Sequence, residues 1–195
     1  MPEPPELSDT ERERWDAAGS AMRDFADALL SGDEEGAAAV MNQLRHLDLD
    51  LARFRDSLHV PEDAGDLEDA LIRLLLRIPD GWGRWISCSR GWYPLIVRLD
   101  AQLAALDPEY TVHQVKEKFG GLRFSMSSEA DPDVQEAMLA LVDEAEQASV
   151  RICEDCGSAG VLSRSAGGWY RTVCASCRAG SDRGYRPVSD EAAGS

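Results

Sequence analysis

Four of the five cysteines fall into two identical pairs, Cys153-Glu-Asp-Cys156 and Cys174-Ala-Ser-Cys177. A two-residue gap lets both sulfurs of one turn point at a common centre, and backbone N–H groups of the turn can donate to the thiolates. Two such knuckles joined by a hairpin make a closed, tetrahedral, all-thiolate site. The expected ligands are therefore Cys153, Cys156, Cys174 and Cys177, and the expected cofactor is a structural Zn2+ ion. Iron also accepts four thiolates. A redox dithiol is the other use of Cys-x-x-Cys, but two motifs at this spacing would be redundant for it. Four protein ligands leave no open position for water, so the chemistry is structural rather than hydrolytic. In small zinc peptides such coordination contributes about 10–16 kcal/mol. Chelation is thus expected to unfold residues 151–178 more than the helices at the N-terminus.

Other reactive residues offer less. Cys88, in Ser87-Cys88-Ser89-Arg90, has no cysteine nearby, and none of His46, His59 and His113 stands at a catalytic or metal spacing from it. It reads as a free, partly buried thiol. An enzyme would have to be built around Trp92, His113, Lys116 and Arg123, yet no acid–base pair is identifiable from their spacing. No catalytic residue and no cofactor-binding residue beyond the metal ligands is assigned. Gly120-Gly121 reads as a hairpin turn, not a phosphate loop, because no helix start follows it.

The elements that must position the cysteines follow from the pattern around them. Residues 161–164 and 169–173, separated by Ala166-Gly167-Gly168, supply the hairpin between the knuckles. Upstream, Leu122, Phe124 and Met126 alternate with Arg123 and Ser125, a strand period. Residues 110–114 are also extended, with a bulge or bend near His113. Tyr93 to Leu106 predicts a helix that ends near Asp107-Pro108. Asp131-Pro132 starts another, with Val134, Met138, Leu141, Val142 and Ala145 inward. Trp82, Trp85, Trp92 and Tyr93 read as core plus an amphipathic rim, since no basic residue stands at stacking spacing.

The N-terminal part is helical. Ser8-Asp9-Thr10-Glu11 fits a capping box. Trp15, Ala18, Met22, Phe25 and Leu29 follow on one helical face. After Ser31-Gly32-Asp33, a second stripe runs through Ala37, Val40, Leu44, Leu47, Leu51, Phe54 and Leu58, with Pro61 as its limit. Leu67, Leu71, Leu74, Leu75 and Ile78 form a third. The expected fold class is α+β: an N-terminal helical hairpin or bundle, a small α+β core with an antiparallel β-hairpin, and a C-terminal four-cysteine zinc ribbon. The expected domains are an acidic helical segment (1–80), the α+β core (81–150), the ribbon (151–187) and a mobile tail (188–195).

Charge separates these parts. The chain of 195 residues carries 20 basic and 36 acidic residues, a net charge of −16. Residues 1–80 hold 8 basic and 20 acidic residues, residues 81–150 hold 6 and 11, and residues 151–195 hold 6 and 5. This balance excludes a DNA-coating or polybasic membrane-binding protein. No apolar run reaches the roughly 18–20 residues of a membrane span. The acidic, proline-rich start lacks the features of a signal peptide, so the expected location is cytoplasmic.

Residues 91–177 carry one further signal. Gly91-Trp92-Tyr93-Pro94-Leu95-Ile96, then Lys116-Glu117-Lys118-Phe119-Gly120-Gly121-Leu122-Arg123-Phe124, then Cys153-x-x-Cys156-Gly157, Gly168-Trp169 and Cys174-x-x-Cys177 occur in that order. This arrangement resembles a family of small proteins of bacteria and their phages that has no established activity. The resemblance implies a compact α+β core with an attached zinc-binding ribbon, and implies no reaction. Residues before Gly91 lie outside it. Arg178 stands where the first knuckle has Gly157, so the second knuckle is the less regular one.

Together these features predict a zinc-binding, non-enzymatic interaction or regulatory protein of bacterial or phage origin. Its acidic helical segment would dock a basic protein partner. The alternatives are a nucleic-acid-associated regulator acting through the ribbon, and an enzyme.

Overall fold

A computed structural model describes residues 4–188. The chain is α+β and divides after Ser57 into two compact units. Of the tail expected at 188–195, residues 189–195 lie outside the described residues.

The first unit is a helical hairpin with a short third helix. Helix α1 (Asp9–Ser31) begins with the expected capping box: the Ser8 hydroxyl accepts from the Glu11 N–H, and the Glu11 carboxylate accepts from the Ser8 N–H at 2.7 Å. It ends at Gly32, whose φ of +76° suits only a residue without a Cβ. Asp33 then caps α2 (Glu34–Arg45) through the Gly36 N–H. The two helices pack on each other, and Ala18, Ala21, Ala28 and Ala37 are buried. Small side chains bring the backbones close, so the larger residues of the expected stripe fall to the rim. Trp15 and Phe25 are half-buried, and Met22 and Leu29 are exposed.

The second stripe is not one helix. It breaks at residues 46–50, and α3 (Leu51–Asp56) starts afresh with Asp50 accepting from the Arg53 N–H. An Asp at that point offers the backbone N–H groups a local partner that ends one helix and caps the next. Phe54 on α3 returns to stack on Trp15, ring centroids 3.9 Å apart.

The second unit begins at Leu58, not near residue 80. Helix α4 (Glu68–Leu76) buries Leu71, Leu74 and Leu75 completely, and they cluster with Ile78, Trp92, Ile96, Leu99 and Leu103. Each such side chain contributes about 1.5–3 kcal/mol by leaving water, which places α4 with this core. Helix α5 (Tyr93–Leu106) and helix α6 (Pro132–Ser149) complete the helical layer. The sheet has four strands in the order β1 (Leu58–His59), β2 (Arg84–Ser87), β3 (Thr111–Lys118) and β4 (Gly121–Ser127). The β1–β2 and β2–β3 pairs are parallel, and only β3–β4 is antiparallel. The sequence reading found the β3–β4 hairpin and its irregularity at His113, where the register shifts between Val112 and Gln114. It missed β1 and β2, which are too short to show a period.

The aromatic run splits accordingly. Trp92 and Tyr93 are core, whereas Trp82 and Trp85 are exposed. Among the described residues, no helix is long and apolar enough to cross a membrane.

Candidate metal centre

The cysteines sit together at one end of a small antiparallel sheet of three strands. Strand β5 (Val161–Arg164) lies between β6 (Tyr170–Val173) and β7 (Arg186–Pro187). The first knuckle precedes β5. There the Cys153 N–H donates to the Ser158 carbonyl at 2.6 Å, and the Gly157 N–H returns to the Cys153 carbonyl at 2.8 Å. Gly157 takes a φ of +77° to close this turn. The second knuckle follows β6. Cys174 is the N-cap of the short helix α7 (Ala175–Ala179), and its sulfur accepts from the Cys177 N–H at 3.4 Å.

These two turns bring Cys153, Cys156, Cys174 and Cys177 together, with all four sulfurs within 4.8 Å of one another. The Cys156 and Cys174 sulfurs are 3.7 Å apart. A disulfide needs about 2.05 Å, and all five cysteines are free thiols. A tetrahedral ion with sulfur ligands at about 2.3 Å would space them about 3.8 Å apart. The donor set therefore fits a metal ion that prefers four thiolates.

The thiols are unequal. The Ser158 hydroxyl and N–H pull Cys156 down to about 6, while burial pushes Cys153 up, and the neighbouring Cys174 sulfur pushes Cys177 up. Cys156 is the exposed member and Cys153 the buried one.

The knuckle is built into the α+β core. The Gly91 N–H donates to the Glu154 carbonyl at 2.8 Å, and the Trp92 indole N–H donates to the Ile152 carbonyl at 2.8 Å. A Cβ on Gly91 would overlap the Cys153 carbonyl oxygen and lie 2.6 Å from that of Glu154. On the other side, the β3–β4 turn rests on the ribbon. Its two residues, Phe119 and Gly120, both have positive φ, +55° and +79°, the signature of a type I′ turn. The positive pair lies one residue earlier than Gly120-Gly121. The Gly120 carbonyl accepts from the Thr172 hydroxyl at 2.6 Å, and a Cβ on Gly120 would strike the Leu162 side chain.

Between these seats lies a buried ion cluster. Glu154, in the gap of the first knuckle, has a side chain only 4% exposed. It accepts from the Arg171 guanidinium at 2.9 Å and from the Ser89 N–H at 3.1 Å. The same guanidinium reaches Asp155 at 2.8 Å and the Ser89 hydroxyl at 2.7 Å. Burial alone would lower Arg171, but the hydrogen bond and charge of Glu154 outweigh it and hold its proton more firmly than usual. Sequence reading passed over Glu154 and Asp155. The available signal was a pair of acids inside a Cys-x-x-Cys with an arginine on the following hairpin.

The remaining candidates go elsewhere. Cys88 is half-buried, and burial, with Glu154 and Glu117 nearby, keeps its thiol protonated well above the ordinary range. His113 shares a hydrogen bond with the Ser127 hydroxyl and packs against Trp82. Arg123 pairs with Glu146, and Trp92 is wholly buried against Ile152. Trp92, His113 and Arg123 thus engage separate partners.

Three motifs that lie far apart in sequence, Gly91-Trp92, Phe119-Gly120 and Cys153-x-x-Cys156-Gly157, thus meet at one joint. Comparison with known proteins returns no matching family model, no matching curated protein and no matching solved structure.

Proposed function

We propose that this chain is a zinc-binding, non-enzymatic interaction protein of bacterial or phage origin. Zinc holds the ribbon, and the acidic hairpin docks a basic partner. The zinc reading rests on four thiols at tetrahedral spacing with no place left for water. The expected result is one zinc per chain in the purified protein, and a preparation holding iron or no metal would overturn that part.

The docking reading rests on one feature of the first unit. An open groove of about 470 Å3 runs between α1 and α2, lined by Asp24, Asp27, Ala28, Ser31, Asp33, Gly36 and Val40. Three carboxylates line it, and among the described residues Asp24 and Asp27 form no ion pair with a basic side chain. Apolar side chains stand exposed on the same helix, with Leu30 at 86%. A groove of this kind suits the arginine or lysine side chains of a partner, and opposite charge speeds the encounter. The test is a pull-down from host lysate with the full chain and with its Asp24→Asn/Asp27→Asn form. Loss of the basic proteins from the second eluate supports the reading, and identical eluates overturn it.

A further inference from the structure

The ribbon's three-stranded sheet carries an arrangement that the acidic hairpin does not explain. Arg164 on β5 stands directly opposite Arg186 on β7. Across β5's other edge, Arg164 stands opposite Tyr170 on β6. Residues opposed in an antiparallel pair project to the same face, so Arg186, Arg164 and Tyr170 form one row across the sheet. Like charges in direct opposition destabilise a sheet. Here neither guanidinium has an ion pair with any described residue to offset that cost.

The row lines an open groove of about 650 Å3, completed by Ser165, Ala166, Gly184, Pro187 and Val188. No carboxylate lines it. The Arg164 guanidinium lies 5.7 Å from the centre of the Tyr170 ring. Trp169, the next residue along, is 68% exposed. Of the ribbon's three acids, Glu154 and Asp155 are engaged by Arg171, and Asp182 does not line the groove. A protein of net charge −16 therefore presents one face where two arginines and an aromatic ring stand without an acid.

We propose that this row is a binding site for the phosphodiester backbone of single-stranded nucleic acid. Two opposed guanidinium forks match the oxygens of a phosphate group, and an anion between them relieves their repulsion. The flat Tyr170 ring beside them gives an unpaired base a stacking surface. An acidic peptide offers carboxylates but nothing to stack, and a duplex hides its base faces, so the single strand uses the whole row. At physiological salt, repulsion from any acid more than about 8 Å away is screened. The site stands independently of the docking hairpin.

The test is fluorescence anisotropy of a labelled oligothymidylate with the full chain across a salt series. Two phosphate contacts predict that log K falls with log salt at a slope of about −1.4. Arg164→Ala and Arg186→Ala should each weaken binding about tenfold, and Tyr170→Leu should weaken it where Tyr170→Phe does not. Arg186→Glu tests the same row by stability. It places a carboxylate opposite Arg164, so its melting temperature should rise while oligonucleotide binding disappears. Absence of binding at low salt overturns the proposal, as does binding that survives Arg186→Glu, or a lowered melting temperature for that variant. Equal affinity for a polyglutamate peptide or for a duplex of the same length overturns the choice of ligand.

Discussion

At the residue scale, Gly91 and Arg171 decide whether the first cysteine knuckle stays on the core. Any side chain at position 91 meets backbone, not a movable side-chain tip. Gly91→Ala is expected to cost about 1–3 kcal/mol, the usual penalty for overpacking, read as a lower denaturant midpoint at an unchanged slope. Arg171→Ala leaves Glu154 charged and buried with its ion-pair partner gone. Removing one member of such a pair costs about 3–5 kcal/mol. Arg171→Lys should recover only part of this, because an ammonium group cannot span Glu154, Asp155 and Ser89 together. Equal stability of Arg171→Ala and wild type in urea would contradict the role given to this cluster. The four cysteines were legible in the sequence because ligand spacing is local. Gly91 was not, since the atoms that demand a glycine there belong to residues 153–157.

At the element scale, local signals were read well and pairings between distant segments were not. The capping box at Ser8 and Glu11, the glycine end of α1 and the β3–β4 hairpin depend on neighbours three or four residues away. Strands β1 and β2 depend on parallel partners far along the chain and hold too few residues to show alternation. The stripe over 37–58 misled because apolar spacing continued across a break that Asp50 imposes. The capping box gives a prediction of its own. Hydrogen bonds from the Ser8 hydroxyl and N–H hold the Glu11 carboxyl below its ordinary 4.5. The unfolded chain then binds the proton more readily than the folded one, so this contribution is present above about 4.5 and is lost as the pH falls. Ser8→Ala should cost about 1 kcal/mol at neutral pH. The gap between wild type and variant in thermal melts should narrow as the pH drops below 4.5. A gap that widens on acidification would refute the assignment.

At the scale of the whole molecule, metal removal should separate the two units. The ribbon's seats at Gly91-Trp92 and Phe119-Gly120 belong to the second unit. Loss of the metal should therefore reach beyond residues 151–178. Under a strong chelator, hydrogen exchange should speed up first in 153–177 and then at the Gly91 and Trp92 amides, while α1 and α2 keep their protection. Collapse of α1 together with the ribbon would contradict this independence.

The order of the joint along the chain has a consequence for synthesis. The ribosome releases Gly91-Trp92 and the Phe119-Gly120 turn before it releases Cys153, and Cys177 comes later still. At about 5–20 residues per second, the stretch from the end of α6 at Ser149 to Cys177 takes about 1–6 s, during which the core helices are made but the second knuckle is not. The second pair of cysteines that could hold a metal is thus the last part of the joint to arrive. A cell starved of that metal would accumulate chains stalled at this joint, with a finished helical hairpin in front of an unsealed sheet.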